Sequence, residues 1–174
     1  QAERPAVARP AWMSPPPDQK GLRLVAGGLG GRMPTGGEFV VLGRGKAHCQ
    51  EPASWADWRD QNRVATRIGL NVPLSHRIYA GADMMLIPSQ FEPCGLTQMI
   101  SMRYGTLPLV RETGGLKDSV QAYNRFTGEG NGFSFANYNA HEMLYTIESA
   151  VALYHSDQKT WRHLVKNAFA ANFS

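Results

Sequence analysis

The sequence predicts an α/β protein built on a doubly wound, mostly parallel sheet, and three observations carry that prediction. Short apolar runs bounded by glycine or proline recur without two-residue alternation, which is how strands covered on both faces read. Stretches with apolar residues at helical spacing separate those runs, as crossover units require. The composition is 43% hydrophobic and only 18% charged, with 18 Gly and 11 Pro, and suits buried elements joined by many turns. At about 150 residues per domain, 174 residues make one such unit.

Residues 1–19 contain Pro5, Pro10 and Pro15-Pro16-Pro17 and read as a proline-rich tail or linker, with packed structure expected from Lys20 onward. A helix-like stretch over Gly21–Leu29 is followed by Glu38–Leu42, an apolar strand held between Gly36-Gly37 and Gly43. Ala53–Gln61 reads as a helix, Val64–Ile68 as a strand and Leu74–Ala80 as a short helix. Met84–Ile87 is a continuous apolar strand stopped by Pro88. Leu96–Tyr104 has helical spacing, Leu107–Val110 is extended and Leu116–Tyr123 is helical again. After the turn residues Thr127–Asn131 comes a short strand, Gly132–Phe135. Asn139 is a capping residue with Glu142 three positions on, followed by Met143, Leu144, Ile147, Ala150, Val151 and Tyr154 along one helical face. A last helix starts at Asp157 and places Trp161, Leu164, Val165, Ala168 and Phe169 at the same period. No internal repeat is visible.

Several function classes are set aside by the same reading. No apolar run approaches the roughly 18 residues of a membrane span, and the first residues lack the pattern of a signal peptide, so no membrane partner is expected. Cys49 and Cys94 form no Cys-x-x-Cys pair, which gives neither a disulfide framework nor zinc spacing and fits a reducing, cytoplasmic compartment. The net charge of +4 comes from scattered residues rather than a basic stripe, so no nucleic-acid partner is expected. His76, His141, His155 and His163 share no metal spacing. Gly132-Phe133-Ser134-Phe135-Ala136 is not a nucleophile elbow, because its last position is Ala and the serine lies within a strand.

In doubly wound sheets ligands bind at the carboxyl ends of strands, so three loops bear the candidate chemistry. Gly43-Arg44-Gly45-Lys46 fails the phosphate-loop pattern, because Val40 stands where its first glycine is required and Ala47 follows the lysine. The second loop, Pro88-Ser89-Gln90-Phe91-Glu92-Pro93-Cys94-Gly95-Leu96-Thr97-Gln98, sets a carboxylate beside a helix start whose amides come from Gly95, Leu96 and Thr97. Taken alone, Glu92 reads more readily as a loop or capping carboxylate, and Cys94 as a small packing residue rather than a nucleophile. The third, Arg111-Glu112-Thr113-Gly114-Gly115-Leu116, repeats the design, and two anion cradles side by side suggest a diphosphate.

From Gln19 to Ser174 the chain resembles the carboxyl-terminal domain of bacterial glycogen synthases and plant starch synthases. The likeness rests on His76-Arg77-Ile78-Tyr79-Ala80-Gly81-Ala82-Asp83, on Pro88 to Gln98, and on Tyr104-Gly105-Thr106-Leu107-Pro108-Leu109-Val110-Arg111-Glu112-Thr113-Gly114-Gly115-Leu116. It implies the Rossmann-like carboxyl-terminal half of a two-domain GT-B glycosyltransferase, with residues 20–174 forming the donor-binding domain. The implied reaction is retaining transfer of glucose from ADP-glucose to the non-reducing end of an α-1,4-glucan, with no metal and no cofactor. The implied catalytic residues are Glu92, against the donor glucose, and Lys20, against the diphosphate. Gly95, Leu96 and Thr97 would receive the distal phosphate, and Thr113, Gly114 and Gly115 would line the same cleft.

The implied partners are ADP-glucose, the glucan and an amino-terminal domain carrying a Lys-x-Gly-Gly-Leu loop. That domain is not part of this sequence, so negligible transferase activity is expected from these residues by themselves. The implied location is cytoplasmic, or the plastid for a plant protein. Two positions depart from the family pattern: Pro15 replaces a phosphate-binding arginine, and Leu70 stands where an aromatic residue often stacks on the base; Ile100, eight positions after Glu92, replaces a second glutamate of related glycosyltransferases, a departure this synthase subgroup commonly shares. The prolines are also expected to keep the segment before Lys20 out of the sheet centre. The alternatives are a non-catalytic nucleotide- or glucan-binding module, and a transferase of the same fold using UDP-glucose.

Overall fold

A computed structural model describes residues 7–14, 25, 38–43, 64–68, 71–92 and 95–171. Among these, six strands form one sheet: β1 (Pro10–Ser14), β2 (Phe39–Gly43), β3 (Val64–Ile68), β4 (Met84–Ile87), β5 (Leu107–Arg111) and β6 (Phe133–Phe135). Their spatial order is β3-β2-β1-β4-β5-β6, and every neighbouring pair is parallel. All residues of Met84–Ile87 and of Leu107–Val110 are buried. Neither strand has a solvent face, which explains why the sequence runs do not alternate.

β1 overturns the reading of residues 1–19 as a tail. It lies in the middle of the sheet, paired with β2 through Ala11 and Val40 and with β4 through Ala11 and Met85. Ala11 and Trp12 point to opposite faces and both are buried, so the strand is covered on both sides. Pro10 is its first residue, where a missing N–H is tolerated, and Pro15 follows the last residue, Ser14. The prolines bracket the strand instead of excluding it, and the packed unit begins before residue 20. Arg9 anchors the entry: its amide donates to Asp83 Oδ2 at 2.9 Å and its Nε meets Glu38 Oε2 at 3.0 Å.

The helices are α1 (Val72–Gly81), α2 (Thr97–Arg103), α3 (Gly114–Ser119), α4 (Ala140–Ser156) and α5 (Gln158–Ala170). The expected helices over Gly21–Leu29 and Ala53–Gln61 lie outside the described residues, apart from Val25, which is helical and buried. Asn71 caps α1 by accepting from the Leu74 amide at 2.9 Å. α2 is followed by Gly105, whose φ of 73° is a left-handed stop. α3 starts and ends earlier than the expected Leu116–Tyr123. From Val120 the backbone is extended, Ala122 bridges Gly132, and the Tyr123 amide donates to Gly132 O at 2.8 Å. The apolar spacing of Leu116, Val120 and Tyr123 fits a helix, but the last two pack as an added edge segment.

Asn139 caps α4 by accepting from the His141 and Glu142 amides at 2.8 and 3.3 Å. The Glu142 carboxylate accepts from Asn137, backbone and side chain, at 2.8 Å each. Asp157 does the same for α5 through the Thr160 amide and hydroxyl, at 3.0 and 2.6 Å. These bonds hold both carboxyls below their ordinary range, the Thr160 and Asn137 side chains contributing most. A folded-state pKa below the unfolded one gives stability that is complete at neutral pH and is lost as pH falls through the depressed values. Glu142→Gln is therefore expected to flatten the acid limb of a stability profile below about pH 4. Asn139→Ala should cost about 1 kcal/mol at neutral pH, measured by denaturant unfolding.

Candidate active site

β4 and β5 are hydrogen-bonded neighbours in the register Ile87 to Val110, so the loops that follow them leave the sheet side by side. The strand order reverses between β1 and β4, and in open α/β sheets the ligand crevice opens at that reversal, at the carboxyl ends of the strands. The β4–α2 loop, with Glu92, borders the crevice on one side. The carboxyl end of β1, at Ser14, lies on the other, and Lys20 lies outside the described residues, as do Pro15, Leu70, Pro93 and Cys94.

The two glycine turns are joined directly. The Gly115 amide donates to the Glu92 carbonyl at 3.2 Å. Arg111, the last residue of β5, donates from Nη1 to the Gln90 carbonyl at 2.8 Å and to the Ser89 carbonyl at 3.4 Å. Buried Ser89 donates its hydroxyl to Glu92 Oε2 at 3.3 Å. Gly95 and Gly114 both have positive φ, 60° and 47°, and each stands at a helix entrance that L side chains rarely allow. Neither Leu96 nor Thr113 caps its helix with a side-chain bond. Of the residues singled out in the sequence, the structure bonds Gly115 to Glu92 and leaves Gly95, Leu96, Thr97, Thr113 and Gly114 in the two turns so joined, while Lys20 lies outside the described residues. The bond commits the Gly115 amide to a protein carbonyl, so that amide ties the loops together.

Sequence reasoning passed over Arg111 as an actor. Its guanidinium closes the β4–α2 loop onto β5 and lies 5.8 Å from the Tyr138 ring. A lone arginine at a strand's last residue was the available signal. Glu112 is bonded to β6: its amide donates to Phe135 O at 2.9 Å and its carboxylate accepts from Ser134 at 2.8 Å. Two histidines make surface pairs, His76 with the Tyr104 hydroxyl at 2.8 Å and His163 with Glu129 at 3.5 Å. Among the described residues there is no group of three or more His, Cys, Asp or Glu placed to hold a metal, and no helix long and apolar enough to cross a membrane. A cavity of about 700 Å³ lies elsewhere, between α2, α3, α5 and the 121–131 loop, and none of the residues predicted for the site lines it.

A parallel sheet reversing between β1 and β4, with tied glycine turns after β4 and β5, defines a Rossmann-like α/β domain. The chain belongs to the family described as glycosyl transferases group 1, which matches residues 40–170. It is 48% identical over 156 residues to a glycogen synthase of Clostridium botulinum (strain Alaska E43 / Type E3), covering 90% of this chain and 32% of that protein. It is 49% identical over 157 residues to a glycogen synthase of Exiguobacterium sibiricum, covering 90% and 32%. Among solved structures, the catalytic domain of starch synthase IV from Arabidopsis thaliana, bound to ADP and acarbose, superposes with a TM-score of 0.86 at 34% identity, covering 100% of this chain and 36% of that one. The fold is that of the carboxyl-terminal domain of a GT-B glycosyltransferase. The chain spans about a third of the length of these relatives.

Proposed function

We propose that this chain is the donor-binding half of a glycogen or starch synthase, which transfers glucose from ADP-glucose to the non-reducing end of an α-1,4-glucan with retention. The observation that carries the reading is the pair of adjacent glycine turns after β4 and β5, tied through Gly115 to Glu92 beside the point where the strand order reverses. In the proposed reaction the bond between glucose and the distal phosphate breaks. Negative charge builds on the departing phosphate while the sugar becomes oxocarbenium-like. Fixed donors aimed at that phosphate lower the barrier without reorganising. Amides of Gly95, Leu96 and Thr97 supply such donors, Thr113 and Gly114 line the same cleft, and Lys20 adds charge from the β1 side. Glu92 faces the glucose and steadies it by hydrogen bonding, its carboxylate already oriented by Ser89. Neither a metal nor a cofactor enters this scheme.

The acceptor half of the cleft and the glucan groove belong, in this reading, to the part of the relatives that this chain does not span, and the working location is the cytoplasm. Calorimetry on the chain with ADP-glucose, UDP-glucose and ADP tests the donor site. Micromolar binding of ADP-glucose is expected, weakened about tenfold by Glu92→Ala, while ADP changes little. Tighter binding of UDP-glucose would reassign the donor. Binding indifferent to Glu92→Ala would leave a nucleotide-binding module, and no binding at all would reject the site. Glucan elongation by the chain alone would refute the division of labour between the two halves.

A further inference from the structure

Behind the two turns lies a second connection that no part of the donor-site reading uses. Gln98, the second residue of α2, is fully buried and donates from Nε2 to the Ser119 hydroxyl at 3.0 Å. Ser119, the last residue of α3, donates that hydroxyl to the Gly115 carbonyl at 2.6 Å. A hydroxyl has one proton, and here it goes to Gly115, so Ser119 accepts from Gln98 and the orientation of the amide is settled. The Gln98 amide also packs flat against the β4–α2 turn at Gly95. A methyl group on Gly95 would stand 2.6 Å from Oε1 and 2.7 Å from Nε2. Oε1 is buried there and has no hydrogen-bond partner among the described residues.

A fully buried amide with one end unpaired is poor packing material, since a methionine fills a similar volume without the penalty. What the amide does provide is direction. Packed against Gly95, Gln98 bonds to Ser119, Ser119 to the Gly115 carbonyl, and the Gly115 amide returns to the Glu92 carbonyl, six residues before Gln98 in the chain. It is a closed ring, and neither glycine turn can shift against the other without breaking a bond in it. We propose that Gln98 and Ser119 are positioning residues that set the spacing of the two turns, and through it the grip on the distal phosphate of a nucleoside diphosphate. This rests on the donor-site reading above.

The test is calorimetry on the 174-residue chain with ADP and AMP, which differ by that phosphate, alongside thermal melts. Ser119→Ala and Gln98→Met are each expected to weaken ADP about fivefold while AMP stays within about twofold. The double variant should be no weaker than either single one, because one break already opens the ring. Ser119→Thr keeps the hydroxyl and should bind ADP as the unaltered chain does, which guards against variants that fail to fold. A purely structural role would lower the melting temperature and leave the ADP affinity of the folded protein unchanged; that result, or an equal loss for AMP and ADP, overturns the proposal. Absence of ADP binding by the unaltered chain rejects the donor site itself and the ring's role with it. Normal binding that ignores both single variants rejects the ring alone.

Discussion

Trp161→Ala is expected to lower the unfolding free energy by about 3–5 kcal/mol, since it removes a large ring from a site that cannot collapse around the loss. Trp161 is 1% exposed and joins three elements. From α5 its ring stacks on Phe133 of β6, with centroids 5.7 Å apart and planes at 25°. Its other contact is edge-on with Tyr154 of α4, at 5.2 Å and 87°. The two terminal helices and the last strand therefore share one aromatic cluster, and such pairs contribute beyond their buried area. At roughly 2–4 °C per kcal/mol for a chain of this size, the melting temperature should fall by about 10 °C. Trp161→Phe keeps a ring against Phe133 and should lose less than half as much. A fall of under about 3 °C for the alanine variant would show that α4 and β6 close over the space unaided.

The parts of the fold legible in the sequence are those where local chemistry and tertiary packing agree. Asn139 caps a helix because its side chain reaches amides two and three residues on, a local event. Met84–Ile87 is bounded by Asp83 and Pro88 and reads as a strand wherever it packs. β1 was illegible for a related reason. A strand buried on both faces is marked only by the length of its apolar run, and Ala11-Trp12-Met13 is too short a run to outweigh the prolines around it. Val120 and Tyr123 sit at helical spacing from Leu116, but their partner is the backbone at Gly132, which spacing does not encode.

The site divides in the same way. The turns around Gly95 and Gly114 announce themselves because only glycine suits positive φ at those entrances. Their adjacency is a property of the sheet, although consecutive parallel strands are neighbours often enough for the inference to be sound. Gln98 and Ser119 are different. Nothing in their types or spacing marks a bond between the start of one helix and the end of the next, and only the fold shows it.

Gly130→Ala carries the second large expected effect, about 3 kcal/mol or more, and its neighbour Gly128 supplies the control. Gly130 has a φ of 131°, a conformation open essentially to glycine alone, and strain of that kind costs about 1–3 kcal/mol. A methyl group there would also stand 2.8 Å from the Tyr123 nitrogen and from its Cα, and 3.0 Å from the Ala122 carbonyl carbon. Those are backbone atoms, so no rotamer change relieves the overlap. They are pinned in turn: the Tyr123 amide donates to Gly132 O and the Asn131 amide to Gln121 O, while Asn167 of α5 donates to the Gly130 carbonyl. Gly128 has a φ of 74° with nothing within 4 Å of the added methyl, so Gly128→Ala meets conformational strain alone and should cost only about 1 kcal/mol. Denaturant unfolding of the two variants at an unchanged m-value separates crowding from backbone strain. Equal losses would mean that the 121–131 loop yields around Gly130, and the crowding argument would fall.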